Sequence, residues 1–233
     1  MTTTSKQPRN AIESARRTIE LELRAVEQLQ HRIDESFTHA VELLSAVKGR
    51  VIVSGMGKSG HIGNKIAATL ASTGTPAQFV HPAEACHGDM GMITRSDAAL
   101  LMSNSGTTAE ITALLPLLKR LGLPIVAMTG NPDSTLARAA DAHLNISVDE
   151  EACPLDLAPT ASTTANLVMG DALAIAMLEQ SGFTAEDFAF THPGGALGRR
   201  LLRRVSDVLV TGSDIPEVSL AMSLAAGVLE ISS

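Results

Sequence analysis

Four hydroxyl side chains crowd a single glycine in Ser103-Asn104-Ser105-Gly106-Thr107-Thr108-Ala109-Glu110. A helical pattern follows at once, so the loop offers free N–H groups, a partial positive charge and several neutral donors, which together suit one phosphate. Thr107-x-x-Glu110 also matches a capping box, in which Glu110 reaches back to the cap N–H. A cap needs one hydroxyl and not four, so the phosphate reading is favoured. Gly55-Met56-Gly57-Lys58-Ser59-Gly60 has G-x-G-x-x-G spacing after a short apolar run. A dinucleotide site would need an acidic residue closing the second strand, where Phe79-Val80-His81 stands and Glu84 is displaced into the next loop. A triphosphate-binding loop would need glycine at the place of Ile52. A tight strand-to-helix turn explains the glycines, but not the lysine, Lys58, at a strand end.

His81, Cys86 and His87 share one loop with Asp89. Zinc takes such ligands, but a structural site is closed by four of them at regular spacing, so a polar, substrate-facing loop is the better reading. Glu150-Glu151 follow the last apolar run, where a solvated acidic turn is the plain alternative. His192 stands in Thr191-His192-Pro193-Gly194-Gly195, a rigid loop and an odd place for a merely structural imidazole. His31, His39 and His61 read as helix-face residues. The basic run RRLLRR is a solvated helix face or a subunit contact rather than a ligand site.

These residues need a frame that brings them to one edge. VIVSG (51–55), AQFV (77–80), AALLMS (98–103), PIVAMTG (124–130) and HLNIS (143–147) are short and nearly all apolar. Helical stretches such as AEITALLPLLKRLG separate them, which predicts a parallel sheet of right-handed βαβ units buried on both faces. Ligands then sit at the carboxyl ends of the strands. Residues 10–48 read as helix with a joint near Arg32–Glu35, and another helix is expected over roughly 160–181. The chain has 233 residues, a net charge of −7, 45% hydrophobic and only 2% aromatic residues. An acidic chain so poor in aromatics lacks the stacking platforms and basic surface of a nucleic-acid binder. No apolar run reaches the ~18 residues of a membrane span, and the N-terminus has no apolar signal core. Cys86 and Cys153 are too few for a disulfide framework, so a reduced, cytoplasmic chain is expected.

Taken together, SGMGKSGHIGNKIAATLASTGTPA, FVHPAEACHGDMGMI, SNSGTTAEI and FTHPGGALGRRLL resemble the sugar isomerase (SIS) domain, and more closely the D-arabinose 5-phosphate isomerases of the 3-deoxy-D-manno-octulosonate pathway. The likeness runs from about residue 10 to 205. It implies an α/β fold with a flavodoxin-like five-stranded parallel sheet between helices, assembled as a homotetramer with active sites at subunit contacts. The implied reaction interconverts D-ribulose 5-phosphate and D-arabinose 5-phosphate through an enediolate, with no redox cofactor. Ser103, Ser105 and Thr108 would hold the phosphate, while Ser54, Gly74, Thr75, His81 and His87 would contact the substrate. Lys58, Glu110, Glu151 and His192 match the positions used in catalysis. Glu110 or His192 would take the proton, Lys58 would steady the enediolate, and Glu151 would orient a neighbour or share the proton. A metal ion at His81 is suggested by the family, although the chemistry does not require one.

The expected division is an N-terminal helical segment (1–47), the SIS domain (48–204) and, at 205–233, the opening of a CBS domain. Two alternatives are a non-catalytic sugar-phosphate sensor and an isomerase of another phosphosugar. Turnover of ribulose 5-phosphate separates the first from an enzyme.

Overall fold

The computed structural model describes residues 10–195, 200–201, 206, 208–209, 212, 215, 217–219 and 221–232. The chain divides into two compact units, Met1–Thr184 and Ala185–Ser233.

In the first unit, polar side chains mark where helices begin. Asn10 Oδ1 accepts the Ile12 N–H at 3.0 Å and opens α1, Ala11–Gln30. Asp34 accepts the Ser36 N–H at 2.9 Å and opens α2, Glu35–Ser45, which accounts for the joint between them. There follow β1 (Val51–Gly55), α3 (Gly57–Ser72), β2 (Ala77–Phe79), α4 (Pro82–Cys86), β3 (Ala98–Met102), α5 (Ala109–Thr112) and α6 (Leu115–Leu121). Next come β4 (Ile125–Thr129), α7 (Thr135–Ala139), β5 (Ala142–Asn145) and α8 (Ala161–Ser181).

The five strands form one sheet in the order β2-β1-β3-β4-β5, parallel throughout, which is the flavodoxin-like arrangement. Every residue of β1, β3 and β4 is buried, and the period of two sends alternate side chains to opposite faces. Val51, Val53, Leu100, Met102, Val126 and Met128 meet α2, α3 and α8 on one side. Ile52, Leu101, Ile125 and Ala127 meet residues of α4 to α7 on the other. The result is three layers, helix–sheet–helix.

Three expectations are refined. The stretch AEITALLPLLKRLG is two short helices, α5 and α6, because Pro116 has no N–H to carry the hydrogen-bond ladder forward. The last strand stops at Asn145, whose Oδ1 takes the Ser147 N–H at 3.0 Å and turns the chain. The third concerns length: α8 is long and apolar enough to cross a membrane by composition, with half of that stretch buried inside the structure. It serves here as a core helix, its inner side given by Ala165, Met169, Leu173 and Met177.

The second unit contains α9 (Ala185–Thr191) and α10 (Leu224–Ser232). Residues 196–199 and 202–205, which hold the end of THPGGALG and most of RRLLRR, lie outside the described residues, as does part of the expected 205–233 module.

Candidate active site

Parallel strands place all their carboxyl ends on one edge of the sheet, and most of the chemistry-bearing residues collect there. β1 ends at Gly55, and the close fit of α3 explains the glycine spacing beyond it: a Cβ on Gly60 would lie 2.6 Å from the Gly55 carbonyl oxygen. Lys58 occupies the first turn of α3 and is exposed. Ser54 is buried, and its hydroxyl donates to the Val80 carbonyl at 2.8 Å, so it ties β1 to the end of β2. His81 follows β2 as the residue that opens α4. Its ring meets Phe79 edge-on with centroids 6.5 Å apart, and its Nδ1 is buried with no hydrogen-bond partner. His87 closes α4 and is exposed.

The loop after β3 is built from hydroxyl pairs. Ser103 Oγ and Thr108 Oγ1 are 2.7 Å apart, and Thr107 Oγ1 donates to Ser105 Oγ at 3.2 Å. Ser103 Oγ also accepts the Gly106 N–H at 3.1 Å, and Ser105 Oγ accepts the Thr107 N–H at 3.3 Å. The capping box does not form. Thr108, not Thr107, precedes the helix, with no side-chain cap, because its hydroxyl is engaged with Ser103. The helix itself is one turn, so its dipole contributes little. What the loop offers a phosphate is hydroxyl and backbone donors. Glu110 sits in that turn and is exposed.

Glu151 is not a solvated acid. Its Oε2 accepts from the Thr160 N–H at 2.7 Å, the Thr160 hydroxyl at 3.0 Å and the Ser162 N–H at 3.2 Å. Burial pushes its pKa up, but the hydrogen bonds from Ser162 and Thr160 together outweigh burial and hold the carboxyl below its ordinary value. Glu151 therefore supplies the cap that Thr160, with no side-chain cap bond of its own, does not give α8. Glu150 instead faces Arg17 at 3.7 Å.

Two of the expected residues, Gly74 and Thr75, are not brought to this edge. Gly74 and Thr75 precede β2, and in a parallel sheet the residues before a strand lie on the opposite edge. There they line a cavity of about 330 Å³ with Val51, Pro76, Gln180 and Ser181, and Gly74 lies against the Phe183 ring. A contact from these two residues to a sugar held beside Ser103 is therefore not seen within the chain. The larger cavities, about 580 and 550 Å³, also open on that far edge and share His39, Leu43 and Pro124. The Asp97 and Asp141 carboxylates beside them accept the backbone N–H groups of Arg50 and Ile125, so they serve the fold. His192 belongs to the second unit. Its ring stacks on Phe188 with centroids 4.1 Å apart, and its Nδ1 lies 3.1 Å from the Phe188 carbonyl. The same Nδ1 also lies 3.0 Å from the Thr191 hydroxyl.

Among the described residues no three His, Cys, Asp or Glu side chains are grouped to hold a metal ion. His81 therefore belongs to no such group.

The model of the SIS domain family matches residues 43–176. The chain belongs to the SIS domain family. This SIS chain is 65% identical over 220 residues to the arabinose 5-phosphate isomerase KdsD of Pseudomonas aeruginosa, spanning 94% of this chain and 68% of that protein. It is 56% identical over 219 residues to the isomerase of the same name from Escherichia coli K12, spanning 94% and 67%. Among solved structures, c3406 of Escherichia coli CFT073 in complex with arabinose 5-phosphate superposes with a TM-score of 0.76 at 43% identity, over 83% of this chain and 100% of that one.

Sequence reasoning missed the partners that hold the site together: Thr160 and Ser162 around Glu151, and Gly130 and Ser134 behind the hydroxyl loop. The turn TGNPDS (129–134) follows β4 at the carboxyl edge, but turn residues alone do not say what they brace.

Proposed function

We propose that the chain is an aldose–ketose isomerase interconverting D-ribulose 5-phosphate and D-arabinose 5-phosphate through an enediolate. The observation that carries this is a loop of paired hydroxyls at the carboxyl edge with the Glu110 carboxylate one turn on, in a chain 65% identical to an arabinose 5-phosphate isomerase. The phosphate is held by Ser103, Ser105 and Thr108, whose neutral donors bind a dianion without a permanent counter-charge.

Isomerisation moves one proton between C1 and C2 and one between their oxygens, so the atoms balance without an oxidant or reductant. Glu110 or His192 takes the carbon-bound proton and returns it to the neighbouring carbon. The Lys58 ammonium steadies the oxyanion that develops. Glu151, ionised and fully engaged at the start of α8, orients the loop before that helix; a carboxyl held below its ordinary pKa is a poor proton acceptor. His81 and His87 contact the sugar. The reading includes a homotetramer with sites at subunit contacts, a cytoplasmic location and supply of 3-deoxy-D-manno-octulosonate synthesis.

Incubation with ribulose 5-phosphate should yield arabinose 5-phosphate, and binding without conversion would point to a sensor instead. At least one of Glu110→Gln and His192→Ala is expected to lower kcat by about 10²–10⁴-fold. Near-normal turnover in both would defeat the catalytic assignment.

A further inference from the structure

The hydroxyl loop does not stand by its own bonds. Gly106, at its apex, has φ +65°, a left-handed conformation that favours glycine. The reason is directly behind it: a Cβ on Gly106 would lie 2.0 Å from Ser134 Oγ and 2.4 Å from Ser134 Cβ. The side chain of Ser134 fills the space that a side chain on Gly106 would occupy. Ser134 is 2% exposed, and its Oγ accepts the Ala137 N–H at 3.2 Å. The Leu136 N–H donates to the Gly106 carbonyl at 3.0 Å, and the Gly130 N–H donates to the Asn104 carbonyl at 2.9 Å. The apex is therefore tied at one end to the turn after β4 and at the other to the first turn of α7.

That turn is locked in its own right. Thr129 is fully buried; its hydroxyl donates to the Asn131 carbonyl at 2.8 Å and accepts the Asn131 N–H at 3.1 Å. Asn131 Oδ1 takes the Asp133 N–H at 2.9 Å. The His143 Nε2 on the neighbouring strand lies 3.0 Å from Thr129 Oγ1. A continuous set of contacts thus runs from β5 through the β4 turn to the loop carrying Ser103, Ser105 and Thr108.

We infer that Ser134 is a positioning residue for phosphate binding: by occupying the space beside Gly106 it fixes the hydroxyl loop in its binding geometry, although it does not touch the ligand. Preorganised donors bind more tightly because less ordering remains to be done on association. The inference deepens the proposed function and rests on its phosphate reading, but not on turnover.

The test is a double-mutant cycle on Ser134→Gly and Gly106→Ala, read by calorimetric binding of inorganic phosphate and by KM and kcat for ribulose 5-phosphate, with melting curves to confirm folding. Ser134→Gly should weaken phosphate binding and raise KM by about five- to tenfold, leaving kcat within about twofold and the pH profile unmoved. Gly106→Ala, which drives a methyl into Ser134, should do at least as much. In the double variant the new methyl meets vacated space, so the loss should be smaller than the product of the two single losses. Ser134→Ala keeps the Cβ beside Gly106 and should bind phosphate within about twofold of the parent, which reads the same contact if the glycine variant does not fold. Unchanged phosphate affinity in folded Ser134→Gly, simple multiplication in the double variant, or equal losses in Ser134→Ala and Ser134→Gly would overturn the inference. A parent chain that binds no phosphate would overturn it too. A parent that binds phosphate but turns over no sugar would defeat only the proposed reaction.

Discussion

The two hydroxyl pairs behind β3 explain how donors can be set for a phosphate in advance. Within each pair one O–H donates to the other oxygen, so the accepting partner keeps its own proton for a ligand. The backbone N–H groups of Gly106 and Thr107 also donate to Ser103 Oγ and Ser105 Oγ. A different residue shows what backbone N–H groups do to an ionisable group. The Cys153 thiol is drawn below its ordinary pKa, chiefly by the N–H of Ala158, then those of Leu157 and Leu155, against a smaller opposing effect of burial. Thiolate is the reactive form. At neutral pH, iodoacetamide should therefore label Cys153 faster than the exposed Cys86, as read by peptide mass spectrometry over time; faster labelling of Cys86 would contradict this. At this scale the sequence told much. Hydroxyl-rich spacing exposed the loop, and a lysine with no structural reason exposed Lys58. It could not tell that Glu151 is engaged, because Thr160 and Ser162 reach it only after the chain has turned.

At the scale of elements, the helices that position the site are short, and their ends are set by single side chains. Pro116 divides α5 from α6, and Asn10 and Asp34 open α1 and α2. α8 depends on a carboxylate from outside itself, since Glu151 supplies the cap at its first turn. Glu151→Ala should cost about 1–3 kcal/mol for the lost charged hydrogen bonds, a fall in melting temperature of roughly 2–4 °C per kcal/mol. The group's folded pKa lies below its unfolded one, so this stabilisation is present above the unfolded value and fades as pH falls through the folded one. The parent and variant melting curves should therefore converge in acid. Equal melting at neutral pH would show the cap to be idle. The sheet was legible because its central strands are nearly all apolar, whereas the edge on which Gly74 and Thr75 lie follows from their position before β2, which a motif does not carry.

For the whole first unit, acid sensitivity has a second source in His143, half-buried where β4, β5 and α2 meet. Burial pushes its pKa down, and Thr129 and Asp34 pull it only part of the way back. Its backbone N–H also donates to Ser36 on α2 at 3.2 Å. A folded state that binds the proton less well than the unfolded chain keeps full stability at neutral pH and loses it as pH drops below about 6.5 toward the depressed value. Melting temperature between pH 8 and 5 should show this slope, and His143→Gln should flatten it; an unchanged slope would remove His143 as its origin. The same unit closes on itself late. Arg17 on α1 donates to the Ala152 carbonyl at 2.8 Å, 135 residues away in sequence, and the Thr164 hydroxyl on α8 donates to Glu22 at 2.9 Å. At the ribosome's pace of about 5–20 residues per second, α1 waits on the order of ten seconds for its partner helix to be made. Throughout that interval Leu21, Ala25 and Leu29, buried in the finished fold, lack the helix against which they pack.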